Sequence, residues 1–398
     1  MIRVLFVDDD PLILAGLQRL MRRFSDEFQS EFVTSGVEAL ERLRRGSFDT
    51  IVSDMRMPAM DGAQLLTRVR DEFPEMVRLI LSGQSPQESM FRALGPAHRF
   101  LSKPCRAEDL RTYVIRALKV RDRLANRALR ALVGQVNDLP CMPRIYKELL
   151  EELHSPRGSI DRVGHIVAQD VAMTAKILQL VNSSFFGVPQ RITSPSQAVC
   201  MLGIEMVKSL VLTVSVFSQF KQPSDDAIDI EALVQHSLVV GETAHRIALQ
   251  LGSTAQDAND ALLAGMLHDL GKLMLAAECT EEYVNMKQLA AHGDLPLWQV
   301  ETTWFGTSHA EIGAYLLSLW GLPNSIVESV AFHHEPSKLE YATPVVLTAV
   351  HLADALANEQ DTAGKTCAES LLDADYLVTA GVDAEVYSAL VSAGEGCL

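Results

Sequence analysis

Five side chains able to do phosphate chemistry stand at the ends of short apolar runs in the first third of the sequence. Asp8 and Asp9 close RVLFV, Asp54 follows IVS in IVSDMRMPAMDG, Ser82 follows LIL in LILSGQ, and Lys103 follows FLS in FLSKPC. Crowded carboxylates repel one another unless a divalent cation neutralises them, and oxygen donors suit a hard ion, so Mg²⁺ is the expected occupant. A carboxylate nucleophile, a metal and an ammonium for developing charge together make a phosphoryl-transfer site. Taken alone, Asp54 would read as a helix cap and Lys103 as a solvated lysine. Their joint placement after successive apolar runs is what argues for a site.

A second set lies in the other half. His236 falls in HSLVVGETAHRIALQLG, His268 and Asp269 in LLAGMLHDLGKL, His309 in HAEIGAYLLSLW, His333 and His334 in AFHHEP, and Asp354 in VHLADALA. Imidazoles and carboxylates spread over several helices are how a helical bundle assembles a metal site in its core, here for a divalent transition metal. His98, His154, His165, His245, His292 and His351 have no such pattern and read as surface or hydrogen-bonded core residues. The apolar stretch from Met173 to Leu180 reads as core packing, and Asn182 as a cap or a contact residue.

The elements that must position these residues follow from periodicity. Up to about residue 118, short apolar runs alternate with amphipathic stretches. Strands are expected at Arg3–Val7, Phe32–Thr34, Thr50–Ser53, Val77–Ser82 and Phe100–Ser102. Helices are expected at Pro11–Arg23, Gly36–Arg44, Gly62–Glu72, Pro86–Leu94 and Ala107–Leu118. That βα alternation predicts a doubly wound α/β domain with a five-stranded parallel sheet, whose strand ends converge on one crevice. Residues 119–138 are polar with a sparse apolar stripe (Ala125, Leu129, Leu132, Val136). They read as the last helix running on as a linker, either pairing with its copy in a homodimer or packing on its own domain. From 139 onward strand signals fade and helical periodicity dominates, with breaks at Pro and Gly clusters.

The chain has 398 residues, 48% hydrophobic and 22% charged, which fits a globular protein of two or three domains. Its 35 basic against 51 acidic residues give a formal charge of −16, which disfavours DNA and anionic membranes as partners. The six cysteines show no CxxC spacing, so neither structural zinc nor a disulfide framework is indicated. With no signal-peptide pattern and no apolar run of roughly 20 residues, a cytoplasmic location is expected.

The acid pair after the first strand, D-x-R-M-P-x-M-D-G after the third, a small hydroxyl residue after the fourth and K-P after the fifth resemble the receiver domains of two-component response regulators, over residues 1–118. The resemblance implies a flavodoxin-like fold and a sensor histidine kinase as partner. It implies Asp54 as phosphoacceptor and Asp8, Asp9, Asp54 and the backbone carbonyl of Arg56 as Mg²⁺ ligands. Ser82 and Lys103 would bind the phosphoryl group, Ser82 and Phe100 would act as switch residues, and Lys103–Pro104 would be a cis-prolyl turn. The histidine set resembles the HD phosphohydrolase superfamily. By that analogy His236, His268, Asp269 and Asp354 would hold one metal, His309, His333 and His334 a second, and Lys272 would meet a substrate phosphate. LPCMPRIYKELLEEL, IVAQDVAMTAKILQLVNSSFFG, ITSPSQAVCMLGIEMVKSLVLT and GTSHAEIGAYLLSLWGLP are similar to the narrower HDOD family over 139–336. HDOD domains are generally regarded as signalling or interaction modules, so the resemblance implies a phosphorylation-controlled output domain that captures a protein or nucleotide. The alternative is a phosphorylation-gated, metal-dependent phosphohydrolase acting on a nucleotide. EPSKLEYATP after His333–His334 departs from the GYP signature of cyclic-dinucleotide phosphodiesterases. Residues 337–398 are expected to complete the helical domain.

Overall fold

The computed structural model describes residues 1–82, 96–124, 126–135, 143–155, 158–182, 192–204, 207, 227–292, 295–339, 344–361 and 372–382. The first part is a parallel five-stranded sheet in the order β2-β1-β3-β4-β5, made of β1 (Ile2–Val7), β2 (Phe28–Val33), β3 (Thr50–Asp54), β4 (Val77–Ser82) and β5 (Arg99–Ser102). Central strands of such a sheet are covered on both faces, which is why Val4–Val7 and Thr50–Ser53 are uninterrupted buried runs. β2 begins at Phe28, earlier than the apolar pattern suggests. It lies at the sheet edge in register with β1 from Ile2↔Phe28 to Val7↔Val33, and an edge strand tolerates Gln29, Ser30 and Glu31.

Helices α1 (Pro11–Met21), α2 (Gly36–Arg45), α3 (Gly62–Glu72) and α4 (Ala107–Arg123) cover the sheet. Their starts follow local chemistry. Asp10 caps α1 ahead of Pro11, Ser35 caps α2, and Asp61 with Gln64 forms a reciprocal capping box on α3. The strand order reverses direction between β1 and β3, and this switch point holds Asp8 and Asp54. Gly62 lets α3 start against that strand end, because a Cβ there would lie 2.2 Å from the Asp54 carbonyl oxygen. The helix expected at Pro86–Leu94 lies outside the described residues.

The linker departs from a single continuous helix. α4 ends at Arg123, Leu124 is extended, and α5 (Arg127–Gln135) starts anew where the Asn126 carboxamide oxygen accepts from the backbone N–H groups of Ala128 (2.9 Å) and Leu129 (3.4 Å). Of the expected stripe, Leu129 is buried and Leu132 is half-buried against the core of this chain, beside buried Leu124 and Val133, so these positions are used for intramolecular packing. Ala125 and Val136 lie outside the described residues.

The remainder is helical among the described residues. The helices are α6 (Pro143–His154), α7 (Ile160–Ala168), α8 (Val171–Val181), α9 (Pro195–Leu202), α10 (Ile230–Gln250), α11 (Ala255–Leu267), α12 (Leu270–Glu278), α13 (Thr280–His292), α14 (Leu297–Phe305), α15 (His309–Leu319), α16 (Asn324–Phe332), α17 (Val345–Asp361) and α18 (Ala374–Thr379). Met173, Ile177 and Leu178 are fully buried, as core packing requires. The Asn182 carboxamide ties the end of α8 to the chain at Ile192, donating to its carbonyl (2.7 Å) and accepting from its N–H (2.8 Å). α17 and α18 extend the bundle past residue 336, and 383–398 lie outside the described residues. The two parts dock through α4 and β5. The Tyr113 hydroxyl donates to the Leu319 carbonyl, Arg99 donates to the Gly321 carbonyl at 3.1 Å, and Arg78, fully buried in β4, donates to the carbonyl of Gly134 in α5. Among the described residues no helix is long and apolar enough to cross a membrane.

Candidate functional sites

At the carboxyl ends of the strands the topology brings the ends of β1, β3 and β5 together. The Lys103 ammonium donates to Asp8 Oδ2 at 2.6 Å and to Asp54 Oδ1, and the second Asp54 oxygen accepts from the backbone N–H of Arg56. Asp8 is buried, Asp54 is half-buried and Asp9 is exposed beside them. Burial pulls the Lys103 ammonium down, but hydrogen bonds and charge from Asp54 and Asp8 outweigh it and hold its pKa above the ordinary value. The donor set of acidic oxygens fits a hard divalent cation. Lys103–Pro104 is a cis peptide, and Phe100 is buried in β5. The side chain of Ser82 lies outside the described residues.

In the helical part, all seven residues singled out from the sequence meet in one buried cluster. His236 comes from α10, His268 and Asp269 from the α11–α12 junction, His309 opens α15, His333 and His334 follow α16, and Asp354 lies in α17. Asp354 Oδ1 lies 3.2 Å from His236 Nε2 and 3.5 Å from His268 Nε2. Asp269 Oδ2 lies 3.3 Å from His268 Nε2, and its Oδ1 lies 3.1 Å from His309 Nε2. His334 Nε2 faces His309 Nε2 at 3.1 Å. Atoms close enough together to share a metal ion fall into the overlapping sets His236–His268–Asp354, His268–Asp269–His333 and His309–His333–His334.

The outer ring nitrogens set the chemistry of the inner ones. His268 Nδ1 donates to the Gly265 carbonyl at 2.6 Å, His333 Nδ1 to the Val330 carbonyl at 2.8 Å, and His309 Nδ1 to Glu301 Oε2 at 2.6 Å. Each bond holds a proton on Nδ1 and turns Nε2 inward, the orientation metal-ligating histidines require. His333 Nε2 is buried without a hydrogen-bond partner among the described residues, an expensive arrangement that a cation would resolve. Burial lowers the His268 imidazolium, but Asp269 and Asp354 overcome this and raise its pKa to about 10. The same negative field attracts any cation to that point. Burial, with His268 and His309 nearby, holds His333 neutral with a pKa of about 3. The residues therefore fit one or two divalent transition metals.

Gly271 lets the cluster close. It lies in α12 against the start of α15, where a Cβ would sit 2.0 Å from the His309 carbonyl oxygen. Lys272 donates to Asp269 Oδ2 at 2.6 Å, so in this structure its charge serves that buried carboxylate. Three supporting residues were not singled out by sequence. Glu301 is fully buried and binds both the His309 ring and its backbone N–H, at 2.8 Å for the latter. Trp298 stacks on His334 with centroids 5.5 Å apart. His351 donates from Nδ1 to the His333 carbonyl at 2.7 Å and accepts at Nε2 from the Asp373 N–H. A signal for Glu301 existed, since it is the one acid in LPLWQVETTWFG. His351 stands three residues from Asp354 on one helix face. His98 is buried against Arg78, His165 is exposed and His245 half-buried, while the side chains of His154 and His292 lie outside the described residues.

Comparison with known proteins divides the chain in the same way. Residues 4–115 match the response regulator receiver domain and residues 139–336 the HDOD domain. An uncharacterized protein of Treponema pallidum is 27% identical over 219 residues, covering 55% of this chain and 42% of that protein. The two-component response regulator ORR22 of Oryza sativa subsp. indica is 37% identical over 112 residues, covering 27% of this chain and 16% of that one. The chain thus spans less than half the length of these curated relatives. The crystal structure of the MmoQ response regulator from Methylococcus capsulatus aligns with a TM-score of 0.50 at 23% identity, covering 64% of this chain and 98% of that one, a likeness of fold.

Proposed function

Because this chain belongs to the response regulators that join a receiver domain to an HDOD domain, we propose that Asp54 accepts a phosphoryl group and that the helical domain is the signalling output it controls. The observation that carries this reading is the Lys103 ammonium bridging Asp8 and Asp54 at the switch point of the sheet. An Asp54 oxygen forms the new bond to phosphorus as the bond from phosphorus to the donor, a phosphohistidine of a sensor kinase or acetyl phosphate, breaks. Lys103 is placed to pair with the added charge of about −1.5 to −2. Mg²⁺ held by Asp8, Asp9, Asp54 and the Arg56 carbonyl would supply further charge neutralisation. Ser82 and Phe100 would report the change, Phe100 from its place in the wall facing the helical domain. The test is labelling by radioactive acetyl phosphate. Wild-type protein is expected to take up a base-labile label that Asp54→Asn abolishes, and label retained in the variant refutes the assignment.

A second reading concerns what the output domain does. The inward Nε2 of neutral His333, together with the buried carboxylates Asp269 and Asp354, favours a metal-loaded centre held by His236, His268, Asp269 and Asp354, with His309, His333 and His334 on its other side. Such a centre would activate water for phosphoester hydrolysis. Metal analysis decides first: less than one equivalent of transition metal bound after incubation with Mn²⁺, Zn²⁺ or Fe²⁺ removes the hydrolase reading and leaves the interaction module. With metal bound, turnover of cyclic dinucleotides or nucleoside phosphates that is lost in His268→Ala would establish it.

A further inference from the structure

The seam between the two domains encloses two adjoining cavities. One, of 420 Å³, has Arg99, Arg106 and Arg116 in its walls against Asp109, the single acid among its described lining residues. The other, of 340 Å³, adds Arg111, Lys119 and Arg123 against Glu328 and shares Thr112, Arg116 and Asn324 with the first. In a chain with a formal charge of −16 this is an inverted distribution, and ion pairs among the described residues account for only part of it. Arg111 is committed to Glu27 at 2.7 Å, and Arg123 lies over the Phe332 ring. Arg99 donates to Gly321 and stacks on Tyr113. Arg106, Arg116 and Lys119 have no acidic partner among the described residues. Arg106 and Lys119 are exposed and Arg116 is half-buried, so the cost of gathering like charges falls on Arg99, whose guanidinium pKa is lowered by burial and by the neighbouring Arg116. The arrangement makes physical sense when a ligand brings the negative charge.

We propose that this seam is a binding site for an organic phosphate of nucleotide size. Guanidinium groups match phosphate oxygens through paired, charge-assisted hydrogen bonds, which favours a phosphate over a monocarboxylate. The cavity volumes fall in the range of small-molecule sites. Phe100, Leu101 and Tyr113 give an apolar wall, and Thr112 and Asn324 give neutral polar groups for the rest of the molecule. The site is separate from the histidine cluster, since the 11-residue helix α15 reaches the cluster with His309 and the seam with Leu319, about 15 Å apart along its axis. Both domains supply walls, so an occupant would hold them docked, and Phe100 places the receiver's β5 in direct contact with it.

The test uses the full chain in EDTA, so that neither metal centre contributes to phosphate binding. ATP, AMP and inorganic pyrophosphate are titrated by calorimetry, with hydrogen exchange to locate protection. Binding of ATP is expected, with slowed exchange in residues 105–116 and 321–328. Arg106→Gln with Arg116→Gln should weaken it at least about tenfold, the loss expected for charged hydrogen bonds. Asp109→Asn, which removes the acid of the first cavity, should tighten it about twofold to fivefold, as expected for an exposed like charge. That gain of affinity cannot arise from misfolding. The proposal is overturned if none of the three probes binds at up to about 10 mM, or if binding is unchanged in both variants.

Discussion

Replacing Gly271 by alanine tests whether close packing of α12 on α15 builds the histidine cluster. A Cβ on residue 271 would lie 2.0 Å from the His309 carbonyl oxygen, 2.7 Å from its carbon and 2.9 Å from its Cα. All three are backbone atoms, which cannot rotate aside. Since a methyl group needs about 3 Å at the least, the helices must separate by about 1 Å. Two effects oppose each other. Alanine improves helix propensity and reduces unfolded-chain entropy by at most about 1 kcal/mol, less at the second residue of a helix. Overpacking costs about 1–3 kcal/mol, with the upper end expected against rigid backbone. The clash wins, leaving a net loss of about 2 kcal/mol.

The assay can isolate the helical domain because all three tryptophans, Trp298, Trp304 and Trp320, belong to it. With a urea dependence of about 2 kcal/mol per molar, the tryptophan-fluorescence midpoint should fall by about 1 M. Separation of the helices also draws Asp269 away from His309, now 3.1 Å from it, so Zn²⁺ affinity should fall about tenfold. A midpoint at or above the wild-type value would refute the idea that Gly271 is there for helix approach.

Other perturbations separate further parts of the structure. Glu301→Gln keeps the shape but removes the charge that holds the His309 ring, and should weaken Zn²⁺ binding by about 10–100-fold, read by competition with a chelating dye. His98 is held neutral by burial and by Arg78, and its Nδ1 accepts the Arg78 backbone N–H at 3.1 Å. Its depressed pKa means that the stability it supports is full above about pH 6.5 and is lost as pH falls below that value. Far-UV circular dichroism should therefore show a urea midpoint for the receiver that drops from pH 7 to 5, with a shallower drop in His98→Asn. Burial raises the Cys105 and Cys279 thiols to about 11, leaving about one thiolate in a thousand at pH 8. Peptide mapping after brief iodoacetamide treatment should find both largely unmodified while exposed Cys200 is labelled.

The receiver site was legible because its information is local and its topology is regular. Parallel βα units place every strand's carboxyl end at one edge, so residues after apolar runs, Asp8, Asp54 and Lys103, must converge whatever the details of packing. Asp61–Gln64 and Asp10–Pro11 likewise state their caps in adjacent residues. β2 was harder to read, because an edge strand need not be apolar. In the helical domain the sequence supplied the candidate residues, and all seven do meet, but helical periodicity says only that a face is buried and not what it is buried against. Glu301 behind His309, Trp298 on His334 and the inward Nε2 atoms arise from contacts between helices. The linker's break at Leu124 and the basic seam were likewise decided in three dimensions. Each depends on how close two backbones can come, as Gly271 and His309 do, and that distance is set by side chains far apart in the chain.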